Sequence, residues 1–341
     1  MMATTELRPG YVISRVIKGG WQLAGGHGEV AREVAVAGMA AYVAAGITTF
    51  DCADIYTGVE ELIGAYLRTA PDARIRVHTK FVPDLDILPR ITRADVARII
   101  DRSRARLGRE RIDLVQFHWW DYDIPNWLQT ALWLKELQDS GKIDLIGGTN
   151  FDTAHAAALL DAGVGLASMQ VQYSLLDDRP ARGLAPLAAA RGMKLLCYGT
   201  VAGGFLSDRW LGVAEPRDPL PNRSLTKYKL VIDDAGGWDW FQALLRALDG
   251  VARRHATDIA AVASRAVLDF PQVAAVIVGV SRGVHLPAHA ALCGIPLDET
   301  DRAAIAAVLA QRRPLDGDVY ALERDRAGRH GRIMKYNLGN A

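Results

Sequence analysis

Cysteine is scarce in this 341-residue chain and gives no staple. Its three copies, Cys52, Cys197 and Cys293, lie far apart in apolar surroundings. They lack the paired spacing of a disulfide framework or a zinc site, so buried thiols are expected. An excess of one charge is also missing. Forty Lys and Arg stand against 39 Asp and Glu, for a formal net charge of +1. No basic stripe suited to a phosphate backbone is present, and nucleic acid is not an expected partner. No apolar run reaches membrane-spanning length without charge or turn residues, so no membrane partner is expected. The N-terminal MMATTELRPGYVISRV carries an acid and an early proline where a signal peptide needs a basic end and a continuous apolar run. The expectation is a cytoplasmic, soluble protein. Half of the residues are hydrophobic and 23% are charged, a composition that supports a sizeable core and argues against disorder.

Eight short runs rich in β-branched and apolar residues recur along the chain, each followed by a segment of helical period. They are VISRVIKGG from Val12, ITTFDCA from Ile47, RIRVHTKF from Arg74, IDLVQFHW from Ile112, IDLIGGTNF from Ile143, LASMQVQY from Leu166, KLLCYGT from Lys194 and VAAVIVGV from Val273. Between them, TRADVARIIDRSRARLG opens on Thr92 as an N-cap and stops at Gly108, and FDTAHAAALLDAG opens on Asp152 or Thr153 and closes at Gly163. Strands alternating with helices predict parallel pairing with the helices outside. Eight such units predict an α/β fold, a single-domain (β/α)8 TIM barrel over residues 1–341. The one much longer connection, 203–240 after the seventh strand, and the basic C-terminal tail, 312–341, are expected to be loops that shape the barrel mouth.

In such barrels the chemistry sits where strands end. The second run ends on Asp51 with Tyr56 just beyond, the third on Lys80 and the fourth on His118. Closure brings these ends together, since neighbouring strands lie about 4.8 Å apart. A tyrosine hydroxyl, with an ordinary pKa of about 10, donates its proton poorly at neutral pH unless a cation stabilises the phenolate. Lys80 supplies a cation, and Asp51 one strand away keeps it charged. His118 is expected to donate a hydrogen bond to a bound carbonyl oxygen. Each residue alone has a plainer explanation, as a structural ion pair, a core histidine or a loop aromatic. The four together favour a site.

On Asp51, Tyr56, Lys80 and His118, with the HW that follows the fourth strand, the sequence resembles the aldo-keto reductase superfamily over nearly its whole length. The resemblance implies a barrel that binds NADP(H) or NAD(H) in extended form, with Tyr56 as general acid in carbonyl reduction or base in alcohol oxidation. It implies that Gly20 and Trp21 border nicotinamide and substrate. It implies that Thr149, Asn150 and Gln170 hold the carboxamide and that Tyr198 stacks on the nicotinamide ring. Gly199, Thr200 and Gly203 fall on the pyrophosphate loop, where Thr200-Val201 replaces a frequent Pro-Leu. Gly279, Ser281, Arg282, His285 and His289 fall on the segment that grips the adenosine end. There Gly279 and His285 replace a lysine and an arginine, which leaves the choice between NADP(H) and NAD(H) open. Trp119 and Trp120, with Trp21, are substrate-pocket candidates, and Trp238 and Trp240 suit either core or mouth.

Rival motifs are present. GHGEVA from Gly26 is a G-x-G-x-x-A with Asp51 at a distance suited to a dinucleotide fingerprint, but WQLAGG separates it from the preceding strand, as a Rossmann turn would not. GVSRG from Gly279 mimics a nucleophile elbow, which Pro287 weakens. His285 and His289 are four apart, as metal ligands on a helix often are, but no third ligand is evident and no metal is expected. A further alternative within the resembled family is a regulatory subunit that binds the cofactor and turns over slowly.

Overall fold

The structure, a computed structural model, describes residues 2–24, 31–279 and 285–338. Two short strands, β1 (Thr4–Arg8) and β2 (Tyr11–Ser14), pair antiparallel as a hairpin. Eight more, β3 (Val16–Gly19), β4 (Thr49–Asp51), β5 (Arg76–Phe81), β6 (Ile112–Phe117), β7 (Ile143–Thr149), β8 (Leu166–Gln172), β9 (Lys194–Tyr198) and β10 (Val273–Gly279), are all parallel. They close a barrel in chain order, with β10 against β3. This is the expected (β/α)8 architecture.

Between the strands run α1 (Arg32–Ala44), α2 (Val59–Thr69), α3 (Arg93–Leu107), α4 (Trp127–Asp139) and α5 (Thr153–Asp161). The second half carries α6 (Arg179–Arg182), α7 (Leu184–Arg191), α8 (Arg223–Ala235), α9 (Trp238–Arg254) and α10 (Ile259–Val267). After β10 come α11 (Leu286–Ala291), α12 (Glu299–Leu309) and α13 (Ala321–Arg324). Thr92 caps α3 through a capping box with Asp95, Gly108 ends it at φ 64°, and Asp152 caps α5 by accepting from the His155 amide.

Two elements differ from the sequence reading. The run from Val12 is not one strand: its first part belongs to the hairpin, and the chain turns at Arg15. The Arg15 guanidinium binds the carbonyls of Leu268, Val273 and Ala274. The 203–240 connection contains α8, capped by Asn222, and reaches the start of α9. The apolar face of α8 packs with Trp238, Trp240 and Phe241 into a second core outside the barrel.

Alternation along the strands decides what faces the lumen. At the floor Leu7, Tyr11 and Ile13 of the hairpin pack with Ile17, Leu114, Leu196 and Ala275 from the barrel, and Tyr11 stacks on His78 of β5. Phe50 and Val77 face outward against α2, which turns Asp51, His78 and Lys80 inward. All three cysteines are free thiols: Cys52 and Cys197 are buried and Cys293 is half-buried. Among the described residues no helix is long and apolar enough to cross a membrane.

Candidate active site

Asp51 ends β4 and Lys80 lies near the end of β5, so neighbouring strands place them side by side. Lys80 Nζ donates to both carboxylate oxygens, at 2.9 and 2.8 Å, and to the Cys52 carbonyl at 2.7 Å. Both side chains are almost wholly buried. Burial opposes the lysine's charge, but Asp51 and then Tyr56 outweigh it and raise its pKa above the ordinary lysine value. Lys80 is a fixed cation.

Asp51 also accepts from Gln170 Nε2 at 2.6 Å and from Gln116 Nε2 at 3.2 Å. Gln116 escaped the sequence reading, although it stands two residues before His118 and therefore on the same face of β6. Gln170 was expected on a carboxamide. With one N–H bound to Asp51, its side-chain oxygen and second N–H remain for a ligand.

Tyr56 lies in the loop between β4 and α2, held by Tyr56 N to Ala53 O and Val59 N to Tyr56 O, each 3.0 Å. Lys80 Nζ is 5.0 Å from the centre of its ring, and the exposed Trp21 meets that ring edge-on at 5.1 Å. The phenol pKa moves up from its ordinary value: burial raises it more than Lys80 lowers it, and Asp51 adds to the rise. This corrects the expectation that the cation would make Tyr56 acidic. Because Asp51 neutralises Lys80, the lysine offsets part of the burial and no more.

His118 follows β6. Its Nδ1 lies 3.0 Å from the Thr149 carbonyl, an acceptor only, so Nδ1 carries the proton. Burial, then the Arg324 charge, lowers its pKa to about 3. The ring is therefore neutral at pH 7 and its buried Nε2, without a hydrogen-bond partner among the described residues, is an acceptor. Donation from His118 to a carbonyl was the sequence expectation, whereas the Nδ1-protonated ring leaves Nε2 able to accept.

Asn150 takes φ 61° after β7, a left-handed conformation to which Asn is suited. Its amide N donates to Gln170 O at 2.9 Å, Thr149 Oγ1 donates to the same carbonyl at 3.2 Å, and Tyr198 Oη donates to Asn150 Oδ1 at 2.9 Å. Gly20 N donates to Asp51 O at 2.8 Å, and a Cβ at Gly20 would stand 2.8 Å from that oxygen. Gly199, at φ 76°, would bring a Cβ within 2.2 Å of Tyr228 Oη, and Gly203 also abuts Tyr228. These glycines allow close backbone approach at the mouth.

Other candidates lie elsewhere. Thr200 is buried, its hydroxyl 2.9 Å from Ser264 Oγ on α10. Gly279 faces the Gln22 side chain, 2.2 Å from where a Cβ would stand. His289 Nδ1 pairs with Tyr42 Oη at 2.8 Å, between α11 and α1, and the His285 ring lies 6.0 Å from that of His289. Ser281 and Arg282 lie outside the described residues, as do Gly26 to Val30 of the GHGEVA stretch and residues 280–283 of GVSRG. Among the described residues no group of three or more His, Cys, Asp or Glu is arranged to hold a metal.

The tryptophans need correction. Trp119 is 0% exposed, and its indole donates to Ile124 O at 3.1 Å. It packs in the main hydrophobic core. Trp120 stands edge-on to His118 at 4.3 Å with its indole on Pro83 O, forming a wall behind the imidazole. Trp238 and Trp240 belong to the outer core, their indoles on the Val213 and Val308 carbonyls.

A closed parallel barrel with a lysine–aspartate pair, a phenol and an imidazole at one mouth defines a class of oxidoreductase, and known proteins agree. Residues 15–310 match the Aldo/keto reductase family, and the chain belongs to that family. Membership puts it among the NAD(P)-dependent oxidoreductases of carbonyl and alcohol groups. It is 26% identical to aldo-keto reductase YhdN of Bacillus subtilis over 91% of this chain and 94% of that protein. It is 26% identical to the NADH-specific methylglyoxal reductase of Escherichia coli over 60% of this chain and 68% of the other. A flagellar radial spoke protein 5 of Chlamydomonas reinhardtii shares 28% identity over 65% of this chain, which spans half of that protein's length. The fold superposes on a glycerol dehydrogenase from Gluconobacter oxydans with a TM-score of 0.75 at 24% identity, over 90% of this chain and 94% of that one.

Proposed function

We propose that the protein interconverts an aldehyde or ketone and its alcohol, sugar lactols included, with NADP(H) or NAD(H), and that Tyr56 is the proton donor or acceptor. The observation that carries this reading is the Asp51-neutralised Lys80 ammonium 5.0 Å from the Tyr56 ring. The mouth residues fit a nicotinamide nucleotide. Asn150, its oxygen bound by Tyr198, has its NH2 left for a ligand carbonyl. Asn150, Thr149 and the Gln170 oxygen would hold the carboxamide, and Tyr198 the ring. The nucleotide, when bound, supplies or takes the hydride.

The rest falls to the chain's own residues. Tyr56 passes its proton to the substrate oxygen while Lys80 limits the cost of the phenolate. Asp51, gripped by Gln116 and Gln170, keeps Lys80 in place. His118 Nε2 accepts from a substrate hydroxyl, which suits a hydroxylated carbonyl or polyol.

A binding role with little turnover is the second reading, favoured by the likeness to a radial spoke protein. NADH and NADPH affinities measured by fluorescence, followed by steady-state assays on small aldehydes and sugars, separate the two. Turnover with the better-bound cofactor supports the enzyme. Tight binding without turnover across the panel replaces it with the binding role.

A further inference from the structure

The C-terminal arm brings one cation into the mouth that no carboxylate among the described residues answers. Arg324, the last residue of α13, donates through Nη1 to Trp119 O at 2.6 Å and Trp120 O at 3.0 Å. Through Nη2 it donates to Asn150 O at 2.7 Å and Tyr122 Oη at 2.7 Å. Its guanidinium lies 3.9 Å over the Tyr122 ring. The carbonyls it binds belong to the residues immediately after His118 and to Asn150 itself, so one side chain ties the ends of β6 and β7 together.

We propose that Arg324 is a positioning residue of the active site, fixing His118 and Asn150 against each other so that the site is complete only with the C-terminal arm docked. The inference rests on the oxidoreductase reading for its kinetic arm alone. A planar fork on converging carbonyls suits this task in a way an ammonium does not. Its charge acts as well. The groups facing His118 are Lys80 from β5, the Thr149 carbonyl from β7, the Trp120 and Tyr320 rings, and Arg324. Lys80 is already neutralised by Asp51, so after burial Arg324 is the larger charge effect that lowers the imidazole pKa.

The test compares Arg324→Met and Arg324→Lys in the full chain. Arg324→Met should lower kcat by about tenfold to a hundredfold, the loss expected of a misplaced site. It should also weaken cofactor binding and raise the pH at which His118 protonates, with burial still holding that ionisation below its ordinary range. Arg324→Lys should reverse that rise without restoring kcat. Wild-type kcat and an unchanged pH profile in Arg324→Met would overturn the proposal. If Arg324→Met does not fold, nitrogen NMR of the wild-type imidazoles decides. His118 should stay in the neutral, Nδ1-protonated form down to about pH 4, and titration near 6.5 would sink the idea whether or not the protein turns over substrate.

Discussion

Lys80 and Asp51 form a two-pronged ion pair, at 2.9 and 2.8 Å, with almost no solvent contact on either side chain. Removing one member strands the other. Lys80→Met should destabilise the fold by about 3–5 kcal/mol, whereas adding Asp51→Asn should recover most of that loss without recovering activity. Denaturant unfolding of the two single variants and the double variant checks this, and an additive double variant would contradict it.

Tyr56→Phe removes one hydroxyl from a ring that contacts Trp21 and the Lys80 ammonium. Turnover should fall by about a hundredfold or more, within the range general acid catalysis supplies, while cofactor dissociation constants stay near wild type. Stopped-flow and fluorescence titration measure the two separately.

The pH profile of reduction should lack a His118 limb near 6.5, because that ring protonates only at about 3. On the alkaline side, rate should fall only above the ordinary tyrosine range, because the folded phenol is raised. The donor form of Tyr56 is therefore present across neutral pH and is lost as pH rises through that raised value. An acid limb at pH 6 to 7 that survives replacement of His118 by Asn would assign the ionisation to another group.

Lys18 on β3 is buried with no charge partner among the described residues behind its shift, and burial lowers its pKa from 10.5 to about 8. The unfolded chain holds this proton more tightly, so the penalty is complete below pH 8 and disappears as pH approaches 10.5. Lys18→Met should stabilise the protein at pH 7 by something on the order of 1–3 kcal/mol. The gain should shrink to near zero at pH 10.5. Thermal or urea unfolding at the two pH values tests the sign.

The barrel was legible because each buried strand is a short β-branched run, and seven of the eight runs read in the sequence lie on barrel strands. The first run also reached its barrel strand, but alternation continues through Arg15 and hides the turn that separates hairpin from barrel. The four central residues were legible as polar groups at the ends of apolar strands. Their protonation was not, because the acceptor character of His118 depends on the Thr149 carbonyl, 31 residues away. Alternation alone would have put Trp119 on the opposite face of its strand from His118, and so in the core. Arg324 left no local sign: its partners Trp119 and Asn150 lie 205 and 174 residues earlier, and only the closed fold brings them together.

The Thr4–Ser14 hairpin, with Leu7, Tyr11 and Ile13 wedged among Ile17, Leu114 and Leu196, stoppers the barrel opposite the mouth. Access to Asp51, Lys80 and His118 from that end is closed, which leaves the mouth as the way in.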